Sequence, residues 1–256
     1  MELDLTKPDT GRIIDYWLGG HHNFDVDRTA AERIATYTPT APDWVRAQRE
    51  FLQRAVGYMH DGLGIRRFLV GGAGLPTCGN VHEVAPQARV LYTDISPVTI
   101  AYGKYILGDN PNVRYVHCNV TKLHSIDPAL LVEALGDEGP IGLVLIGIVY
   151  FFPDAVLTEA LQSLFGWVPA GSALATSFIG RDAEEHASGS LMVYKQMGTP
   201  LHPRNRDEIA AVMTPWHLNS HGIATATQWG RAPRTSDGPE FVFCCVAVKP
   251  STDDRH

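Results

Sequence analysis

Arg66-Arg67-Phe68-Leu69-Val70-Gly71-Gly72-Ala73-Gly74 is an apolar run that ends in glycines, and ARVLYTD (88–94) is a second such run that ends in an acid. The first reads as a strand entering a tight turn. Glycines there let the backbone bend sharply and approach a ligand with no Cβ in the way. About twenty residues on, the Asp94 carboxylate can accept hydrogen bonds from both hydroxyls of a ribose. Strand, glycine turn, helix, strand and acid together make a nucleoside-binding arrangement. The same residues also have plainer readings: a βα turn without ligand for the glycines, and for Asp94 a solvated carboxylate or a cap for the helix opening at Ser96-Pro97. A dinucleotide site fits less well. The GxGxxG fingerprint is absent, and Pro76-Thr77 stand where a phosphate-binding helix would open.

Outward from this pair, segments 112–118, 141–151 and 172–179 read as further strands, with helices over 97–107, 127–136, 154–166 and 205–213. Alternating strands and helices predict βαβ units and a parallel sheet buried on both faces. The tail changes pattern. GIATATQWG (222–230) and EFVFCCVAVK (240–249) read as two strands of an antiparallel hairpin, joined by a polar connection with Pro and Gly. On the N-terminal side, residues 11–37 read as helix, turn, helix, broken by Gly19-Gly20-His21-His22-Asn23. Residues 43–62 form an amphipathic helix with Trp44, Phe51, Leu52, Val56 and Met59 on one side. The prediction is an α/β fold: a doubly wound, Rossmann-like sheet of about seven strands, with residues 63–256 as the core and residues 1–62 as a helical cap of the same domain.

Of the 256 residues, 45% are hydrophobic and 19% charged, and the net charge is −7. No basic run exceeds Arg66-Arg67, which argues against a nucleic-acid partner and for a small-molecule substrate. No stretch reaches eighteen apolar residues and the N-terminus has no apolar export signal, so the expectation is a cytoplasmic protein without membrane contact. Four cysteines, Cys78, Cys118, Cys244 and Cys245, lack metal-site spacing and read as reduced thiols, with no metal expected. A homodimer or a pathway partner protein stays open. Trp216 and Trp229 read as core, with a substrate wall as the alternative.

Several segments are distinctive in combination: IIDYWLGGHHNFDVDRTAAERI (13–34), RAQREFLQRAV (46–56), GIRRFLVGGAGLPTCGNVHEV (64–84), ARVLYTDISPV (88–98) and TPLHPRNRDEIA (199–210). Over nearly its whole length the chain resembles an actinobacterial family of S-adenosylmethionine (SAM)-dependent methyltransferases, once catalogued as a domain of unknown function. The resemblance implies the class I methyltransferase fold, SAM as cofactor, and cofactor contacts at Gly72, Gly74, Asp94, Ile95, Asn119, Val120 and Ile148. The chain also departs from the family pattern. Val70 stands where an acid usually helps hold the methionine end of SAM, with Gly71 after it. Asn119 replaces an Asp, Tyr150 replaces a His, and His21-His22 replace a lysine–acid pair. Asp94 is retained.

Methyl transfer needs two positioned reactants and, for some nucleophiles, a base. The candidate bases are His22, His82 and Tyr150. Asp15, Tyr16, Gly20 and Asn23 read as cap residues over the site; His82 and Glu83, in the helix after the glycine turn, either face the ligand or pack against the sheet or cap a neighbour. Asp15 or Glu83 could supply the acid missing at position 70, and Asp15 could instead pair with Arg12 or Arg28. The leading expectation is a small-molecule methyltransferase of bacterial secondary metabolism. The alternatives are a SAM-independent lyase or cyclase of natural-product biosynthesis on the same scaffold, suggested by Val70, His21-His22 and Tyr150, and a non-catalytic partner of a pathway enzyme.

Overall fold

Asp9 opens the first helix by accepting the backbone N–H of Arg12, the capping role for which short acidic side chains are suited. The computed structural model describes residues 6–231 and 241–251. Helix α1 (Thr10–Trp17) ends just before Gly19, whose φ of +80° turns the chain, and α2 (Asp25–Tyr37) follows. Helix α3 (Ala41–Gly57) runs into a π-helical turn over Tyr58–Gly62, so the segment read as one helix widens in its last five residues. The buried Arg12–Asp27 ion pair, 2.7 Å, ties α1 to α2, and Asp27 also accepts the N–H groups of Asp9 and Phe24.

Next come β1 (Arg67–Gly71), a single helical turn α4 (Val81–Val84), β2 (Arg89–Asp94), α5 (Pro97–Leu107) and β3 (Val113–His117). A 3-10 stretch over Val120–Ser125, α6 (Pro128–Leu135), β4 (Gly142–Leu145), a 3-10 turn over Val149–Phe151, α7 (Asp154–Trp167) and β5 (Ala173–Ile179) follow. The described chain closes with α8 (Ala183–His186), α9 (Ser188–Gln196), α10 (Arg206–Met213), β6 (His217–Leu218), β7 (Ala224–Thr225) and β8 (Val242–Val248). Neither α8 nor α9 was legible in the sequence pattern.

The strands form one sheet in the order β3-β2-β1-β4-β5-β8-β6, with β7 also paired to β8. Strands β1 to β5 are parallel and β8 is antiparallel to β5. The expected doubly wound sheet is therefore present, with eight strands because two-residue β6 and β7 share the outer edge of β8. The predicted hairpin strand over 222–230 shrinks to β7, and the connection over 232–240 lies outside the described residues. The predicted strand over 141–151 stops at Leu145. Gly147, at φ +79°, cannot continue a strand, and the chain folds back into the 3-10 turn.

Alternate residues of each strand face opposite layers. Phe68, Val70, Val90, Tyr92 and Val144 pack with Phe51, Leu52, Ala55, Val56 and Met59 of α3 and its π turn. Leu69, Leu91, Leu143, Leu145 and Leu174 pack with α6, α7 and α10 on the other face. A third, smaller cluster joins Ile13, Trp17, Ala31, Ile34 and Ala41 to Val193 of α9. Trp216 and Trp229 are core residues, 4% and 2% exposed.

Candidate functional site

A cavity of about 480 Å³ opens at the C-terminal ends of β1, β2 and β4, under α1 and α3. Chain order runs from β1 outward to β2 on one side and reaches β4 on the other. This is the switch point where doubly wound sheets leave room for ligands.

The glycine turn forms its floor and is held by four hydrogen bonds. Thr93 donates through Oγ1 to the Val70 carbonyl, and the Ala73 N–H donates to the Thr93 carbonyl. The Gly74 N–H donates to Asp94 Oδ2 at 3.0 Å, and the Tyr115 hydroxyl donates to the Gly74 carbonyl at 2.7 Å. Asp94 Oδ1 accepts the Ser96 N–H at 2.9 Å, so the carboxylate both positions the turn and holds Ser96, whose hydroxyl caps α5 by accepting the Thr99 N–H. Among the described residues two of the carboxylate's roughly four acceptor positions stay open, and it lies on the cavity wall. Gly72 sits at φ +61°, and a Cβ added there would lie 2.6 Å from Ile148 Cγ1. Gly72→Ala is therefore expected to cost about 2–4 kcal/mol, from left-handed strain plus overpacking. Urea unfolding measures it, and a loss below about 0.5 kcal/mol would show that the loop simply moves aside.

The β4 side is held by a second chain of bonds. The Gly147 N–H donates to Ser177 Oγ at 2.9 Å, and Ser177 Oγ donates to Gln48 Oε1 at 2.7 Å. Tyr150 hydrogen-bonds Gln48, and burial pushes its phenol further above its ordinary range. Burial thus disfavours its phenolate, which weighs against the reading of Tyr150 as a base.

Of the sequence-predicted residues, Gly72, Gly74, Asp94, Ile95, Ile148 and Tyr150 line this cavity. The others do not. Asn119 caps the 3-10 stretch by accepting from both the N–H and the hydroxyl of Thr121, and Val120 is packed beneath Gly71. His22 packs edgewise near Tyr102 and Tyr105 of α5, with ring centroids 6.3 and 6.5 Å away. His82 hydrogen-bonds the Tyr92 hydroxyl at 2.8 Å, and burial lowers its pKa. Glu83 accepts the Asn80 N–H as the far half of a capping box.

The cap residues turn inward on themselves. Asp15 is 1% exposed and accepts from the His22 N–H and the Asn23 amide, so it pairs with neither Arg12 nor Arg28. Gly20 is required there because a Cβ would fall 2.0 Å from Asp15 Oδ1. Asn23 accepts from Arg28, and Tyr16 packs on the small α1–α2–α9 cluster. Asp15 and Glu83 thus do not supply the acid missing at position 70.

The sequence reading missed Asp9, Gln48, Arg49 and Asn80, all on the cavity wall. Burial raises the Asp9 carboxyl, and the neighbouring Asp94 charge adds to the effect. A signal existed for Asp9, an N-cap acid ahead of an apolar-periodic helix. Gln48 and Arg49 lie one turn before Leu52 on the buried side of α3, where charged residues are uncommon.

The sheet order and the switch-point cavity define the class I methyltransferase fold. The chain belongs to the S-adenosyl methyltransferase family, whose family model matches residues 1–250, as the sequence resemblance implied. It is similar to a DUF574-family protein of Streptomyces avermitilis, 28% identical over 97% of this chain and 100% of that one, with a TM-score of 0.86. It is also similar in fold to a protein of Thermobifida fusca assigned as a methyltransferase, 24% identical over 97% of each chain, TM-score 0.88. The magnesium protoporphyrin IX methyltransferase of Synechocystis with bound S-adenosylhomocysteine shares the fold at 12% identity, over 93% of this chain and 92% of that one, TM-score 0.56. No curated protein matches the chain. Among the described residues no helix is long and apolar enough to cross a membrane, and no group of three or more His, Cys, Asp or Glu is placed to hold a metal.

The donor set fits the nucleoside half of SAM. Asp94 keeps open acceptors beside a glycine turn with no side chain to fill it, Ile95 follows it in the chain, and Ile148 comes from the β4 side against Gly72. At the amino-acid end Val70, 5% exposed, offers no charge.

Proposed function

We propose that this chain transfers the methyl group of SAM to a small-molecule nucleophile of bacterial secondary metabolism. The observation that carries the reading is Asp94, held on the cavity wall by the Gly74 and Ser96 N–H groups. In this reading it binds the ribose hydroxyls, with Ile95 and Ile148 bounding the base. SAM would supply an electrophilic methyl on a sulfonium. The protein contributes position and dryness: Leu18, Val45, Leu52, Phe151 and Phe152 form an apolar wall that excludes water from an in-line approach. For a nucleophile that must lose a proton, Asp9 is a wall carboxylate whose burial favours taking one up. The lyase or cyclase reading, which draws on Val70, His21-His22 and Tyr150, finds less support, because His22 packs near Tyr102 and Tyr105 and is not among the cavity-wall residues.

Calorimetry with SAM and S-adenosylhomocysteine tests the proposal, and affinities weaker than about 1 mM for both would sink it. Tyr150→Phe is expected to cost at most about tenfold in turnover and to leave the pH profile unchanged in shape, as for loss of one neutral hydrogen bond. Disappearance of an ionisation from that profile would restore Tyr150 as a base.

A further inference from the structure

Arg49 projects from α3 onto the cavity wall. A guanidinium carries five N–H donors, yet the hydrogen bond it makes among the described residues is one long contact, Nη1 to the Thr77 carbonyl at 3.5 Å. No carboxylate lies within 4 Å of it among those residues. Other withdrawn arginines have close partners: Arg12 has Asp27 at 2.7 Å, Arg204 has Asp154 at 2.9 Å, and Arg67 has the carbonyls of Gly136 and Gly139, with its Nε left over. Burial lowers the pKa of Arg49, and the carboxylates whose fields oppose this are Glu83 and Asp15, neither on the wall. The charges that act on the wall acid Asp9 are those of Arg12 and Asp94.

The cavity wall therefore carries two carboxylates, Asp94 and Asp9, and a planar cation most of whose donors have no partner among the described residues. A ligand matched to both carries a diol at one end and a carboxylate at the other. We infer that Arg49 takes the carboxylate of the methyl donor's amino-acid end, through the paired N–H geometry suited to that group. With Val70 in place of an acid, recognition of the amino acid shifts from its ammonium to its carboxylate.

This inference rests on the nucleoside reading, and two probes separate them. S-Adenosylhomocysteine carries the amino acid and 5′-methylthioadenosine lacks it. By calorimetry on the full chain, Arg49→Gln is expected to weaken S-adenosylhomocysteine about 10- to 100-fold while changing 5′-methylthioadenosine by no more than about twofold. Arg49→Lys keeps the charge without the fork and should recover part of the loss. An unchanged affinity ratio of the two probes in Arg49→Gln, with 5′-methylthioadenosine still bound, overturns the inference alone. Equal weakening of both probes with a lowered melting temperature assigns Arg49 a purely structural part and also overturns it. A wild-type protein that binds neither probe refutes the nucleoside reading, and the inference falls with it.

Discussion

Asp94→Ala is expected to abolish measurable SAM binding at micromolar protein concentrations while leaving the fold intact. Two hydrogen bonds from ribose hydroxyls to a charged acceptor contribute about 1.5–3 kcal/mol each, so their loss corresponds to roughly 10²- to 10⁴-fold in affinity. The glycine turn keeps its place because Ala73 still donates to Thr93 and Tyr115 still donates to the Gly74 carbonyl. The N–H groups of Gly74 and Ser96 lose their acceptor, so a melting-temperature drop equivalent to about 1–2 kcal/mol accompanies the loss. Calorimetry with SAM and thermal unfolding of the same preparation read the two effects separately. Asp94→Asn, which keeps one acceptor oxygen, should fall between. Retained affinity in Asp94→Ala would remove the ribose from this end of the cavity and with it the main support for methyl transfer.

Val70→Asp should move binding and stability in opposite directions. Val70 ends in the apolar layer against α3 and also lines the cavity, so an aspartate there faces both hydrocarbon and ligand. Without ligand the buried carboxylate should cost about 1–3 kcal/mol, seen as a lower urea midpoint. With SAM, its attraction to the α-ammonium should raise affinity about 10- to 100-fold, again by the arithmetic of charged hydrogen bonds. If affinity falls or stays level while the protein remains folded, the amino-acid end of the ligand does not reach position 70. Combined with Arg49→Gln, the substitution asks whether the ammonium and carboxylate are held independently, because uncoupled contacts give additive losses and gains.

The fold was legible in the sequence wherever a local signal matched a tertiary need. The runs ending at Gly71 and Asp94 are strands because parallel strands buried on both faces must be apolar throughout, and their ends were correct within a residue or two. The overreach at 141–151 has a physical cause. Apolar residues continue past Leu145 because they line a cavity and a 3-10 turn, and hydrophobicity alone does not separate those settings from a strand. Helix α9 was missed because Val193 and Tyr194 belong to the small cluster with α1 and α2, a partner distant in sequence, and α8, four residues long with Ala183 in the main core, is too short to show a period. Cap residues Asp15, Gly20 and Asn23 carried a true signal of importance that was read as ligand contact. Their constraint is internal: they close a turn around one buried carboxylate.

Local chemistry alone thus dictated the glycine turn and the acid that follows it. Gly72 needs its left-handed backbone, and Asp94 ends a strand two residues before a helix cap; both are near-neighbour facts. Which other groups meet that turn was decided only when the chain closed. Gly11 packs on Gly74 from the N-terminus, Arg49 reaches the Thr77 carbonyl from α3, and Ser177 fixes Gln48 across 129 positions of sequence. Side chains brought together over such separations leave no periodic trace in the sequence, because each obeys its own helix or strand. Their meeting depends on how the layers pack.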